Sequence, residues 1–329
     1  MKLIKFWYWN ARPHSLPQSV MPSVLAVCLA WKSAGFVWWF GILAVVGVAC
    51  AHLSFNLFDD YFDYKVKKTD FRQRLAHKGF RARMHKCPYL LSGQATLNQL
   101  LAACFVIGGI AVITGAIILY FRGLTILYIA LVATVLGISY SASPLKLSYR
   151  GLGELVIGFK FGPLLMAGVY FATCGQLDWS VLFVSIPVGL LVANIIYVHS
   201  IMDCEPDKEV GKMTFAVLLG SKKAMLSALF LLLLISYGSV IAGILTGYLS
   251  IYYLFTLLTL PMAVSLFYLM RQFVKNPERQ FSPRWWYGPI GNWKGYQEHK
   301  IDWFMIRWLL ARNLLSLFCL ILIILIFVF

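Results

Sequence analysis

The chain has 329 residues, of which 60% are hydrophobic and only 13% charged, and its mean hydropathy is +0.75. A soluble globular domain is usually about 45–50% apolar and about 25% charged, so this composition excludes an ordinary soluble protein. Apolar runs of about 20 residues are long enough to cross a bilayer as helices. They predict an all-α, polytopic membrane protein with nine transmembrane helices. These cover roughly residues 15–33, 35–62, 96–120, 123–142, 153–175, 179–203, 224–246, 250–271 and 303–328. The first is the weakest, because Pro17 and Pro22 interrupt it.

The net charge of +16 at pH 7 would suit a nucleic-acid partner, but its distribution argues against one. With a cytoplasmic amino terminus, every Lys and Arg except Lys32, Arg122 and Lys160 falls on the inner side. This is the asymmetry that sets the orientation of membrane proteins. The sequence therefore predicts a multi-pass protein of the cell (inner) membrane whose long polar segments are cytoplasmic. The lipid bilayer is an expected partner, and the sequence indicates neither a nucleic acid nor an obligate protein partner.

The whole chain, residues 1–329, is predicted to form one domain. Its one unusual segment is 276–302, which together with the two residues after it, as 276–304, has four tryptophans among prolines, glycines and charged residues. Because tryptophan favours the membrane–water interface, we interpret this segment as a structured interfacial excursion before the last helix. A plain cytoplasmic loop with a few anchoring residues is an equal alternative.

An acidic cluster, NLFDDYFD, ends the second predicted helix. Asn56, Asp59, Asp60 and Asp63 share one face if the helix persists, because their spacing is i, i+3, i+4 and i+7. Three like charges on one stripe repel each other unless a cation lies between them. Carboxylate oxygens suit Mg²⁺, so Asp59, Asp60 and Asp63 are candidate ligands.

A second acidic cluster, DCEPDKEVGK, ends the sixth predicted helix. Asp203 and Asp207 are spaced i, i+4, but Pro206 weakens a helical interpretation. Asp203 is therefore expected to end the helix and Asp207 to begin a loop, with Lys212 adding a cation. A solvated helix end would explain one such cluster. Two clusters on the same side favour a binding site, and Asp203 and Asp207 are further candidate metal ligands.

Basic residues near these acids favour a substrate that carries phosphate groups, because Lys and Arg bind phosphate oxygens. The same basic residues could instead hold the loops at anionic lipid headgroups. The candidates for substrate binding are Lys68, Arg72, Lys146, Arg150 and Lys212.

Two residues inside the predicted helices are candidate cavity residues. Lys160 would bind an anionic group of a ligand, or else extend to the inner surface. His199, four residues before Asp203, is either a substrate-binding residue or a packed, hydrogen-bonded histidine.

Three stretches carry a family resemblance. NLFDDYFD resembles the first aspartate-rich motif of the UbiA superfamily of intramembrane prenyltransferases. DCEPDKEVGKMTFAVLLG resembles the second motif, in the form typical of the 1,4-dihydroxy-2-naphthoate branch. YSASPLKLSYRGLGELVIGFKFGPL is similar to the stretch between the fourth and fifth helices of that branch. The order and spacing agree over about residues 15–270.

This resemblance implies a UbiA-like helical bundle with a lipid-facing central cavity, in which Mg²⁺, as two ions, bridges a polyprenyl diphosphate. It implies transfer of the polyprenyl group to an aromatic acceptor, 1,4-dihydroxy-2-naphthoate in menaquinone biosynthesis. The match to the first motif implies catalytic roles for Asn56, Asp60 and Asp63. The match to the second motif implies them for Asp203 and Asp207. Tyr140 and Lys146 fall where the family has a tyrosine and a basic residue near the diphosphate.

Several positions depart from the family pattern. Asp59 stands where the branch often has asparagine, and His199 to Met202 replace its usual residues before Asp203. Lys160 replaces a neutral residue, and with the reaction that the resemblance implies it would bind an acceptor carboxylate or a diphosphate oxygen. These departures leave other acceptors open: 4-hydroxybenzoate, homogentisate, a tetrapyrrole or a glycerol-phosphate lipid. A cation transporter is an alternative from another class, but it would explain the acids and not the basic loops.

Overall fold

The computed structural model describes residues 2–65, 87–209 and 211–329. Across these ranges the chain is helical and has no β-strand, apart from one isolated bridge between Arg150 and Met213. Eight helices in the described part are long and apolar enough to cross a membrane. They are α2 (Trp38–Lys65), α3 (Leu97–Arg122), α4 (Leu124–Ser141), α5 (Gly153–Cys174), α6 (Trp179–Met202), α7 (Lys222–Leu245), α8 (Ile251–Lys275) and α9 (Asp302–Val328). The prediction of an all-α membrane bundle is confirmed.

The first predicted span is a shorter helix, α1 (Pro17–Leu29), so the count of nine is not confirmed. Its 13 residues extend about 20 Å at about 1.5 Å per residue, less than the hydrocarbon thickness of about 30 Å. Proline at its first turn is compatible with a helix start, and a 3₁₀ turn at Pro13–Ser15 precedes it. The remaining short helices are Lys2–Asn10, Pro88–Leu91, Cys204–Glu209, Phe215–Leu219 and Trp293–Glu298, with 3₁₀ turns at Leu147–Tyr149 and Trp285–Tyr287.

Helix α6 lies at the centre of the bundle and packs against α5, α7 and α9. It is apolar on all sides, as expected of a fully surrounded helix. Two glycines bring α5 and α6 together, because a Cβ at Gly162 would lie 2.5 Å from the Cα of Gly189. This close packing fixes the position of α5 beside the central helix.

One turn of α5 departs from regular geometry. Residues Lys160–Leu164 form a π turn, and Pro163, which has no backbone N–H, lies inside it. Such turns are frequent at functional sites. Here the π turn begins at the charged residue in the middle of an apolar helix.

The tryptophan-rich segment is structured. Between Lys275 and α9 it contains a 3₁₀ turn and a short helix. The side-chain amide of Asn313 on α9 donates hydrogen bonds of 2.9 Å to the carbonyls of both Tyr287 and Pro289. Trp285 is 89% exposed, and a position of this segment at the membrane–water interface stays a prediction.

Candidate active site

A single cavity of about 1590 Å³ receives residues from both acidic motifs. Helices α1 to α6 and α9 contribute to its wall. The wall is apolar over most of its extent, and the carboxylates of Asp59, Asp203 and Asp207 lie among its lining groups. The structure therefore brings together two clusters that are far apart in the sequence.

The first motif continues as helix through Lys65, which confirms the helical spacing of its acids. Asn56 and Asp59 line the cavity. The hydroxyl of Ser141 on α4 donates a 2.7 Å hydrogen bond to Oδ1 of Asp59. The side-chain amide of Asn56 donates to the Ala11 carbonyl at 2.9 Å, so it connects α2 to the amino-terminal segment.

Asp60 has a different environment from Asp59. It is 1% exposed and is not among the residues that line the cavity. The phenol of Tyr89 donates a 3.1 Å hydrogen bond to its Oδ2, and Nη2 of Arg12 lies 3.3 Å from its Oδ1. Arg12 also lies 3.5 Å from Oδ2 of Asp59 and donates to the Asn56 carbonyl. The expected single acidic stripe is thus divided between a cavity-facing carboxylate and a buried ion pair.

The electrostatics of this pair follow from burial and charge. Burial alone would lower the pKa of Arg12, but the carboxylates of Asp60 and Asp59 outweigh it and raise that pKa. Burial, followed by the charge of Asp60, raises the pKa of Tyr89, so the phenol keeps its proton and remains a donor. The sequence interpretation missed Arg12 and Tyr89. The one available signal was an arginine just before the first apolar run.

Three predicted residues of the first motif and its loop are only partly accounted for. Asp63 belongs to α2, but its side chain lies outside the described part. Lys68 and Arg72 lie outside the described residues.

The second motif lies where α6 ends. Asp203 is the residue after the last turn of α6, which confirms that it ends the helix. Asp207 is in the short helix Cys204–Glu209 rather than in a loop, and its N–H donates a 2.8 Å hydrogen bond to the Asp203 carbonyl. Pro206 is tolerated there because it falls in the first turn of the new helix.

Both acids of the second motif are buried and have cationic or polar neighbours. Asp203 and Asp207 are 7% and 2% exposed. Nε2 of His199 lies 3.2 Å from Oδ2 of Asp203, and Nζ of Lys212 lies 3.9 Å from Oδ2 of Asp207. All four residues line the cavity.

A buried glutamate that the sequence interpretation missed supports this end of the cavity. Glu154, in the first turn of α5, is 4% exposed. Its Oε1 accepts a 2.6 Å hydrogen bond from Ser200, and its Oε2 accepts one of 3.3 Å from the N–H of Phe215. It thereby connects α5 to α6 and to the turn after the second motif. An acid in the first turn of a mainly apolar helix was the available signal.

The other predicted residues divide into two groups. Tyr140 and Lys160 line the cavity. Lys146 and Arg150 do not; Arg150 is exposed and donates a 3.1 Å hydrogen bond to the Pro144 carbonyl. Substrate binding by Lys146 and Arg150 stays a prediction.

The donor set at this end of the cavity fits a hard divalent cation. Asp59, Asp203 and Asp207 present carboxylate oxygens, the ligand type that Mg²⁺ prefers. Among the described side chains, no three His, Cys, Asp or Glu residues form a ready-made metal cage. That arrangement suits Mg²⁺, which commonly binds through one or two carboxylates together with substrate phosphates.

Comparisons with known proteins agree with this architecture. The sequence profile of the UbiA prenyltransferase family matches residues 19–288. The 1,4-dihydroxy-2-naphthoate octaprenyltransferase of Bacillus subtilis is 28% identical over 80% of this chain and 81% of its own length. The mouse UbiA prenyltransferase domain-containing protein 1 is 31% identical over 82% of this chain and 77% of its own length.

The fold is also that of a solved UbiA structure. A UbiA homolog from Archaeoglobus fulgidus, bound to GPP and Mg²⁺, superposes with a TM-score of 0.58 and covers 94% of this chain and 99% of its own, at 14% identity. At that identity the likeness establishes the fold alone. The sequence match and the shared fold lead to one conclusion: the chain belongs to the UbiA prenyltransferase family.

Proposed function

We propose that this protein transfers a polyprenyl group from an allylic polyprenyl diphosphate to 1,4-dihydroxy-2-naphthoate, a step of menaquinone biosynthesis. The observation that carries the proposal is one apolar cavity lined at one end by the acids of both motifs. The names of the bacterial relatives support a naphthoate as the acceptor.

The cavity suits a substrate with a charged head and a long apolar tail. Asp59, Asp203 and Asp207 would hold Mg²⁺, proposed as two ions, and the bound metal would neutralise negative charge on the departing diphosphate. Arg12 and Lys212 line the same end and add positive charge near the phosphate oxygens. The apolar walls from α3, α4 and α5 would surround the polyprenyl chain.

The proposed reaction is an electrophilic substitution on an electron-rich ring. The allylic C–O bond breaks, and its electron pair leaves with the diphosphate. Ring electrons form the new C–C bond to the cation-like allylic carbon. The ring carbon then loses its carboxylate as CO₂, and the released electron pair restores the aromatic ring. The apolar cavity keeps water away from the allylic cation, which would otherwise be hydrolysed.

We further propose that the acidic end of the cavity faces the cytoplasm of a bacterial inner membrane. The support is the distribution of Lys and Arg, because all but three lie in the segments at that end of the predicted spans. A water-soluble acceptor and the diphosphate head would then enter from the same side.

Product mass spectrometry tests the proposal. Purified protein would be incubated with Mg²⁺, a long-chain prenyl diphosphate and either 1,4-dihydroxy-2-naphthoate or 4-hydroxybenzoate. We expect a prenylated, decarboxylated naphthoquinol that disappears with EDTA. A prenylated benzoate without a naphthoquinol would show that the acceptor is a hydroxybenzoate and not a naphthoate. The absence of product with either acceptor would contradict prenyl transfer to these rings.

A pair of variants tests the acidic end of the cavity. Asp203→Asn and Asp207→Asn should each lower turnover by at least about 100-fold, because each removes a carboxylate that would hold the Mg²⁺ needed to neutralise the departing diphosphate. Glu209→Gln is the matched control, since this acid belongs to the same short helix but is exposed and does not line the cavity. Near-wild-type turnover in both Asp variants would contradict the assigned site.

A further inference from the structure

One cation lies deeper in the cavity than the acids. Nζ of Lys160 lies 4.1 Å from the centre of the Phe55 ring. Phe55 is four residues before Asp59 on α2, on the side away from the acidic end of the cavity. The ammonium group is therefore about one helical turn, or about 5.4 Å, further into the bundle than Asp59.

The position of the Lys160 ammonium group beside helix α4 indicates the same depth, independently of its contact with α2. A Cβ at Gly137 would lie 2.8 Å from Nζ of Lys160, so the ammonium fills the space beside this glycine. Gly137 is four residues before Ser141, the donor to Asp59. Phe161 provides a second aromatic contact, with its ring centre 5.5 Å from the nitrogen. The lysine thus lies in a niche built by α2, α4 and α5 and does not extend to the end of the bundle.

Among the described side chains, those that contact Nζ of Lys160 present aromatic faces and no carboxylate. Lys160 makes no hydrogen bond or ion pair with any residue that the structure describes, although it lines the cavity. Arg12 and Lys212 line the cavity as well, and each lies within 4 Å of an aspartate carboxylate. A charged lysine within a membrane helix costs about 2.5–3.5 kcal/mol on insertion scales, so an anionic ligand is the expected compensation.

We propose that Lys160 binds the carboxylate of an anionic aromatic acceptor, so that the niche is a specificity-determining subsite. This inference rests on the proposed function and adds the group that recognises the acceptor. The diphosphate belongs with the acids at the end of the cavity, and the allylic carbon follows it inward. An acceptor ring that attacks this carbon must lie at the deeper level, which is the level of Lys160. Phe55 would flank the acceptor at the same point.

The role of such a subsite is binding rather than bond making. The carboxylate pairs with Lys160 in the bound acceptor and is lost as CO₂ after transfer. The interaction therefore stabilises the acceptor before the reaction, and its removal should raise the acceptor KM with little change in kcat.

Equilibrium binding of two matched naphthalenes tests the inference without the prenyl donor. The probes are 1-hydroxy-2-naphthoate and 1-naphthol, which differ only in the carboxylate. Lys160→Met should weaken binding of the acid at least about 10-fold and change binding of the naphthol by less than about twofold, since the lost interaction is charge-assisted. Lys160→Arg should retain preference for the acid.

Lys223→Met is the control, because this lysine at the start of α7 lies outside the cavity. It should bind both probes as the wild type does. The inference would be overturned if Lys160→Met weakened the binding of both probes equally, or if it left the binding of the acid unchanged. A rise in the KM for the prenyl diphosphate instead of the acceptor would overturn it as well. These results leave the wild-type product analysis untouched, so the subsite and the proposed reaction can fail separately.

Discussion

The buried ion pair between Arg12 and Asp60 should stabilise the fold, and a double-mutant cycle can measure how strongly. The two side chains are 14% and 2% exposed, so water screens them little. Removing one partner of a buried pair costs about 3–5 kcal/mol, because the other charge is left uncompensated. Arg12→Met should lower the free energy of unfolding by this amount. Asp60→Asn should lower the free energy of unfolding by less, because Nη2 of Arg12 still has the Asp59 carboxylate 3.5 Å away.

The double variant should be less destabilised than the sum of the two single variants. Once both charges are gone, neither is left buried alone, so we expect a coupling free energy of about 2 kcal/mol. Unfolding would be followed by tryptophan fluorescence in mixed micelles titrated with SDS, with the eleven tryptophans as reporters.

Lys5→Met is the control for the loss of a positive charge from the amino-terminal segment. This lysine is exposed on the helix Lys2–Asn10, so its removal should change the unfolding free energy by less than about 0.5 kcal/mol. Additive losses in the cycle would refute the reasoning. So would a loss in Arg12→Met no greater than that in Lys5→Met.

Two further predictions concern packing. Gly162→Ala should destabilise the protein by about 1–3 kcal/mol in the same titration, because the added Cβ would collide with the backbone of α6. Gly109→Ala, with no atom within 4 Å of the new Cβ, should leave stability unchanged, and equal losses in both would contradict this account. Asn313→Ala should speed proteolytic cleavage within residues 276–301, since it removes two hydrogen bonds that hold this segment to α9. An unchanged cleavage rate would show that other contacts hold the segment.

The sequence predicted the helices and the acidic end of the cavity because both features depend on patterns of residues that are close together in the chain. Apolar runs marked eight spanning helices, and the spacing of the acids placed both motifs at helix ends. The count of nine is not confirmed, because the helix Pro17–Leu29 covers only 13 residues of the predicted run 15–33.

The sequence did not predict which neighbour each acid would meet. Helical spacing places Asp59 and Asp60 close together on α2, yet one faces the cavity and the other Arg12 and Tyr89. That outcome depends on how the amino-terminal segment and the Pro88–Leu91 turn pack on α2, which no local pattern encodes. The niche of Lys160 likewise depends on Gly137, a residue of another helix.

The stoichiometry of a single incubation tests the central claim most directly. Wild-type protein would receive a prenyl diphosphate and 1,4-dihydroxy-2-naphthoate labelled in its carboxylate carbon. The account predicts one diphosphate and one labelled CO₂ for each prenylated naphthoquinol formed. Diphosphate release without a prenylated ring, or a prenylated ring that retains the label, would contradict it.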